Sequence, residues 1–96
     1  MESKSRGKSS PLIRALYIED DDLDARQVTR LLRDHADVVL VRRVPTLSEG
    51  LAALREHPTD VVLLDLGLPD ATAHPISTVL EAAPDTPIVV LTGAGG

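Results

Sequence analysis

A chain of 96 residues is the length of one small domain, and 43% hydrophobic residues are enough for a packed core, here built from Leu, Val, Ile and Ala. Ten Lys and Arg against fifteen Asp and Glu leave a formal charge of −5, and Tyr17 is the single aromatic residue, so neither a cationic nor a base-stacking nucleic-acid surface is expected. There is no Cys for disulfide, thiol or thiolate-metal chemistry, no apolar signal-peptide core and no membrane-spanning run of ~20 apolar residues, so a cytoplasmic protein is expected.

Residues 1–11 are polar and rich in Ser and Lys, which reads as a flexible tail ahead of a domain over 12–96. Leu12 to Ile18 is the first expected strand, and it runs into four acids, Glu19-Asp20-Asp21-Asp22. Leu23, Val28, Leu31, Leu32 and His35 then mark the apolar face of a helix. Val38 to Val44 forms a second strand, where Arg42 and Arg43 point to an edge position. Thr46 and Glu49 form a capping-box pattern for a second helix with Leu47, Leu51 and Leu54 inward, ended by Pro58. His57 in its last turn suits the helix dipole, and His35, His57 and His74 show no metal-ligand spacing.

The segment Val61-Val62-Leu63-Leu64-Asp65-Leu66-Gly67-Leu68-Pro69-Asp70 is the centre of the chain. Its continuous apolar run reads as a strand buried on both faces. A carboxylate placed at the end of such a strand is costly without a partner, which makes Asp65 reactive or cation-binding. A third helix starts near Pro75 with Ile76, Val79, Leu80 and Ala83 inward. Ile88 to Leu91 is the fourth strand, followed by Thr92-Gly93-Ala94-Gly95-Gly96.

Strands alternating with helices predict an α/β fold, a doubly wound parallel sheet with right-handed crossovers. With the order 2-1-3-4, Glu19 and Asp20, Asp65, and Thr92 all reach one sheet edge. Converging carboxylates repel unless a cation neutralises them, and an oxygen-only donor set suits Mg²⁺. A carboxylate beside such an ion can attack phosphorus. Blander roles are open to each residue: helix-start charge for the acids at 19–24, a turn for Asp65, an ordinary strand end for Thr92. The terminal glycine run also has the look of a dinucleotide-binding loop, though no helix follows it in the sequence.

Taken together, Tyr17-Ile18-Glu19-Asp20-Asp21, Leu63-Leu64-Asp65-Leu66-Gly67-Leu68-Pro69-Asp70 and Val89-Val90-Leu91-Thr92-Gly93-Ala94 resemble the signatures of CheY-like receiver domains of two-component response regulators, over roughly residues 12–96. The resemblance implies a flavodoxin-like fold and a phosphoacceptor rather than a true enzyme. It implies Asp65 as the residue phosphorylated by a histidine kinase or phosphotransfer protein, and Glu19, Asp20, Asp65 and the Gly67 carbonyl as Mg²⁺ ligands. Pro69 would shape the loop and Thr92 would contact the phosphoryl group and switch. A receiver-like interaction module that is not phosphorylated is the alternative. The sequence departs from the pattern at Ala71-Thr72-Ala73, where many receivers carry a Gly. It also stops before the fourth helix, the Lys-bearing fifth strand and the fifth helix of a receiver. The domain is therefore read as incomplete at its C-terminus, with Ile88 to Leu91 an exposed edge on which a second copy can pair as a homodimer.

Overall fold

A computed structural model describes residues 12–68 and 74–91. The tail at 1–11, the loop with Pro69, Asp70 and Ala71–Ala73, and Thr92 with the glycines after it lie outside the described residues. The elements are β1 (Ile13–Ile18), α1 (Asp22–Arg33), β2 (Val38–Val44), α2 (Leu47–Glu56), β3 (Val61–Asp65), α3 (Pro75–Ala82) and β4 (Ile88–Leu91). All strand pairs are parallel, as the alternation predicts, and the sheet order is β2-β1-β3-β4, the order that the receiver resemblance implies.

Alternation along β1 and β3 divides the core into two layers. Leu16, Ile18, Val62 and Leu64 pack with Val44, Leu47, Ala53, Leu68 and Val79, in the layer that α2 and α3 cover. Tyr17 and Leu63 pack on the other face with Ala25 of α1, flanked by Val28 and Leu32. Each layer closes over one face of the central strands, which is why Ala15 to Ile18 and Val61 to Leu64 read as unbroken apolar runs.

Local chemistry sets the helix starts. Asp21 caps α1 by accepting the Leu23 and Asp24 N–H groups at 2.8 and 3.0 Å. Asp22 and Asp24 occupy its first turn, Arg30 and Arg33 its last, matching the helix dipole at both ends. Thr46 caps α2 through the Glu49 N–H at 3.1 Å, while the Glu49 carboxylate accepts the Thr46 hydroxyl at 3.0 Å. Gly50 lets α2 press onto β1, since a Cβ there would stand 2.9 Å from Ile18 Cγ1.

Three helix faces differ from the expectation. On α1, Leu23 and Leu31 are each 64% exposed, and His35 lies beyond the helix end and is exposed. The inward stripe is Ala25, Val28 and Leu32, and at 100° per residue Leu23 and Leu31 fall outside it. On α2 Leu47 is buried and Leu54 packs against the core as expected, but Gly50 and Ala53 rather than Leu51 complete the buried face, because the close approach at Gly50 turns small side chains toward the sheet. On α3 only Val79 is buried, and Ile76 and Leu80 are exposed because the described elements cover the helix along the Val79 line alone. β1 also starts at Ile13 rather than Leu12, and β3 ends at Asp65.

The ladder between β1 and β2 carries a slip. Ala15 pairs with Leu40 but Leu16 pairs with Arg42, so Val41 is an extra residue on β2. Beyond it Tyr17 pairs with Arg43 and Ile18 with Val44, which brings Arg43 to the α1 face and Val44 into the α2–α3 layer. No helix among the described residues is long and apolar enough to cross a membrane.

Candidate functional site

Ile18 of β1 pairs with Leu64 of β3, so the residue after each stands at the same carboxyl edge of two adjacent strands. Those residues are Glu19 and Asp65, 4% and 6% exposed, and Asp20 adds an exposed carboxylate beside them. One carboxylate oxygen from each of the three lies within 4.8 Å of the others. The structure therefore brings together Glu19, Asp20 and Asp65. Gly67 follows on the turn after β3 and donates its N–H to Asp65 Oδ1 at 3.1 Å. Thr92 lies outside the described residues, although β4 delivers its predecessor Leu91 into register with Asp65.

The electrostatics are those of three crowded carboxylates. Among the described residues no cationic side chain pairs with Glu19, Asp20 or Asp65. Burial, followed by the neighbouring Asp65 carboxyl, pushes the Glu19 carboxyl above its usual proton affinity, and the Asp21 N–H and Tyr17 hydroxyl pull it back only in part. A donor set made only of carboxylate oxygens, with charge to spare, fits a hard divalent cation with oxygen preference, and it fits a soft thiophilic metal poorly.

Two further residues join this edge. Arg43 donates Nε to the Glu19 carbonyl oxygen at 2.9 Å and Nη1 to Asp22 Oδ1 at 2.9 Å, bracing the acidic loop from the edge strand. Tyr17 donates its hydroxyl to Glu19 Oε1 at 3.1 Å from below. Neither role is expected from the sequence. The side of β2 that Arg43 takes depends on the Val41 slip, and Tyr17 reads as one more apolar strand residue. The i, i+2 spacing of Tyr17 and Glu19 is the one local signal that links the phenol to the site.

A parallel 2-1-3-4 sheet with an acidic cluster at the carboxyl ends of β1 and β3 defines a CheY-like, flavodoxin-type α/β domain. The chain belongs to the response regulator receiver domain family, which matches residues 15–96. It is 42% identical over 71 residues to the transcriptional regulatory protein KdpE of Mycobacterium tuberculosis, covering 71% of this chain and 31% of KdpE. It is 31% identical over 85 residues to the cell cycle response regulator CtrA of Brucella ovis, covering 88% of this chain and 36% of CtrA. The chain thus spans about a third of the length of these relatives.

Solved structures agree on the fold. The signal receiver domain of the putative response regulator NarL from Mycobacterium tuberculosis superposes with a TM-score of 0.75 at 20% identity, over 85% of this chain and 67% of that one. A chain of the CheX–CheY–BeF₃–Mg²⁺ complex from Borrelia burgdorferi superposes with a TM-score of 0.80 at 15% identity, over 94% and 69%.

Proposed function

We infer that this domain, over residues 12–96, is a phosphoacceptor of a two-component signalling system, with Asp65 receiving a phosphoryl group from a histidine kinase or phosphotransfer protein. The observation that carries this reading is the convergence of Glu19, Asp20 and Asp65 oxygens within 4.8 Å, at the carboxyl edge of a receiver-family sheet. Glu19, Asp20, Asp65 and the Gly67 carbonyl hold Mg²⁺, a choice supported by the magnesium in the Borrelia CheY complex. Thr92 contacts the phosphoryl group. The domain acts in the cytoplasm, and the outer edge of β4, unpaired among the described residues, offers a second copy a strand to pair with.

In the reaction an Asp65 carboxylate oxygen attacks phosphorus while the bond from phosphorus to the donor's imidazole nitrogen breaks. That nitrogen keeps the electron pair, and an acyl phosphate remains on Asp65. When bound, Mg²⁺ supplies positive charge against the oxygens of the transferring group. The Gly67 N–H orients the Asp65 carboxylate by holding Oδ1. The domain is modified once per cycle rather than turning over as an enzyme.

Intact mass after incubation with acetyl phosphate tests this, with Mg²⁺ or with a chelator. Wild type gains one phosphoryl group with Mg²⁺ only, and Asp65→Asn gains none. An equal gain in the mutant moves the acceptor elsewhere. No gain in a folded wild type favours the interaction module that uses the fold without phosphorylation.

A further inference from the structure

Tyr17 and Glu19 stand two residues apart on one strand edge, so both side chains face the α1 side of the sheet. Tyr17 is fully buried there against Ala25 and Leu63. Packing alone at this position asks only for an apolar side chain of the right volume, as Leu16 and Ile18 supply on the opposite face. A phenol hydroxyl in such a layer is costly unless it finds an acceptor, and the acceptor it has is Glu19 Oε1 at 3.1 Å. Glu19 Oε2 accepts the Asp21 N–H at 3.3 Å, so each carboxylate oxygen has its own fixed donor. A phenol carries its proton at neutral pH, so the hydroxyl is a standing donor.

We propose that Tyr17 is a positioning residue for the cation site: its hydroxyl, anchored in the core, fixes the Glu19 carboxylate toward Asp20 and Asp65 and thereby sets the affinity for a divalent ion. This rests on the reading of Glu19 as a metal ligand. Partners that orient a ligating carboxylate from behind typically change metal affinity 10–100-fold when removed. Because the donor is a ring locked between strand and helix, its orientation is settled before any ion arrives.

The test is Mg²⁺ binding by calorimetry to the wild-type chain, Tyr17→Phe, Glu19→Ala and the double variant. Tyr17→Phe keeps the ring in the core and removes one oxygen, and an unchanged circular dichroism spectrum checks the fold. The expected result is a Kd about 10-fold higher for Tyr17→Phe. In the Glu19→Ala background the same substitution should leave the Kd where it was, because the group it positions is gone. A loosened core would weaken binding in both backgrounds. A second readout comes from the chain's sole aromatic residue: Mg²⁺ should alter Tyr17 emission in the wild type and leave it unaltered in Glu19→Ala. Equal Kd values for wild type and Tyr17→Phe overturn the positioning role and leave the ligand reading standing. Equal loss in both backgrounds overturns it as well. No Mg²⁺ binding by the folded wild type overturns both readings together.

Discussion

Arg43 reaches from the edge strand to the Glu19 carbonyl oxygen, 2.9 Å from Nε, and ties the backbone of the acidic loop to β2 rather than to its own strand. Its second bond goes to Asp22, whose side chain is 84% exposed, so that half of the fork is worth little. The bond to the partly buried carbonyl carries most of the effect. Arg43→Ala should lower unfolding free energy by about 1–2 kcal/mol in urea titrations. It should also weaken Mg²⁺ binding, while Asp22→Ala alone should do neither to a comparable degree. Equal losses from the two substitutions would place the effect in the ion pair.

The crowding of Glu19, Asp20 and Asp65 should have opposite consequences with and without Mg²⁺ if the three share an ion as proposed. In chelator, Asp65→Asn removes one of three mutually repelling charges and should melt at or above the wild-type temperature. With Mg²⁺ at a hundred times its Kd, wild type should gain about 2.7 kcal/mol, a gain the variant should largely lack. Calorimetric melting with and without Mg²⁺ measures both signs. A variant that melts lower in chelator and gains as much from Mg²⁺ would show that the carboxylates do not share one ion.

At Gly50 the close approach of α2 to β1 leaves no room for a methyl group, because Ile18 Cγ1 would lie 2.9 Å from it and Ile18 is fully buried. Gly50→Ala should destabilise by about 1–3 kcal/mol despite the better helix propensity of Ala. Ile18→Val removes the Cδ1 atom that would collide. The double variant should therefore be less destabilised than the sum of the two singles, measured by urea midpoint.

Asp60 accepts the Arg14 N–H at 2.8 Å and Arg14 Nε at 3.2 Å. The backbone bond first, and then the guanidinium, hold its carboxyl below the ordinary 3.8. The native state therefore binds its proton less readily than the unfolded chain does. The stability this confers is fully present above pH 3.8 and is lost as pH falls through the folded value. Asp60→Asn should flatten the acid limb of stability below about pH 4, seen in urea midpoints across pH. The effect should be small, since the pair is solvent-exposed. An unchanged slope would remove Asp60 from the acid response.

Features written in consecutive residues were legible. Thr46 with Glu49 announced a cap, Val61 to Leu64 announced a buried strand, and Asp65 announced a carboxylate at the sheet's edge. The parallel sheet followed from alternation, while the order 2-1-3-4, which makes Glu19 and Asp65 meet, came with the receiver resemblance. What the sequence did not reveal depends on depth and on neighbours. Leu23 and Leu31 have the right spacing to be counted into a face, but the sheet covers only the narrower Ala25, Val28 and Leu32 stripe. Tyr17 looked like filler because its value lies in the hydroxyl, whose acceptor becomes visible only once both side chains are placed. Arg43 looked like edge charge because nothing local foretells a slip at Val41.

That slip gives β2 slack that the inner strands lack. If Val41 were lost, Ala15 would still meet Leu40 and Tyr17 would still meet Arg43, since the residue has no partner of its own in the ladder. β3 has no such spare: each of its residues is in register, from Val61 opposite Ala15 to Leu64 opposite Ile18. Removing one residue there would move Asp65 one place and turn its carboxylate to the opposite face of the sheet, away from Glu19. Length variation is thus absorbed at the rim of the sheet, and the spacing between its two central acids stays fixed.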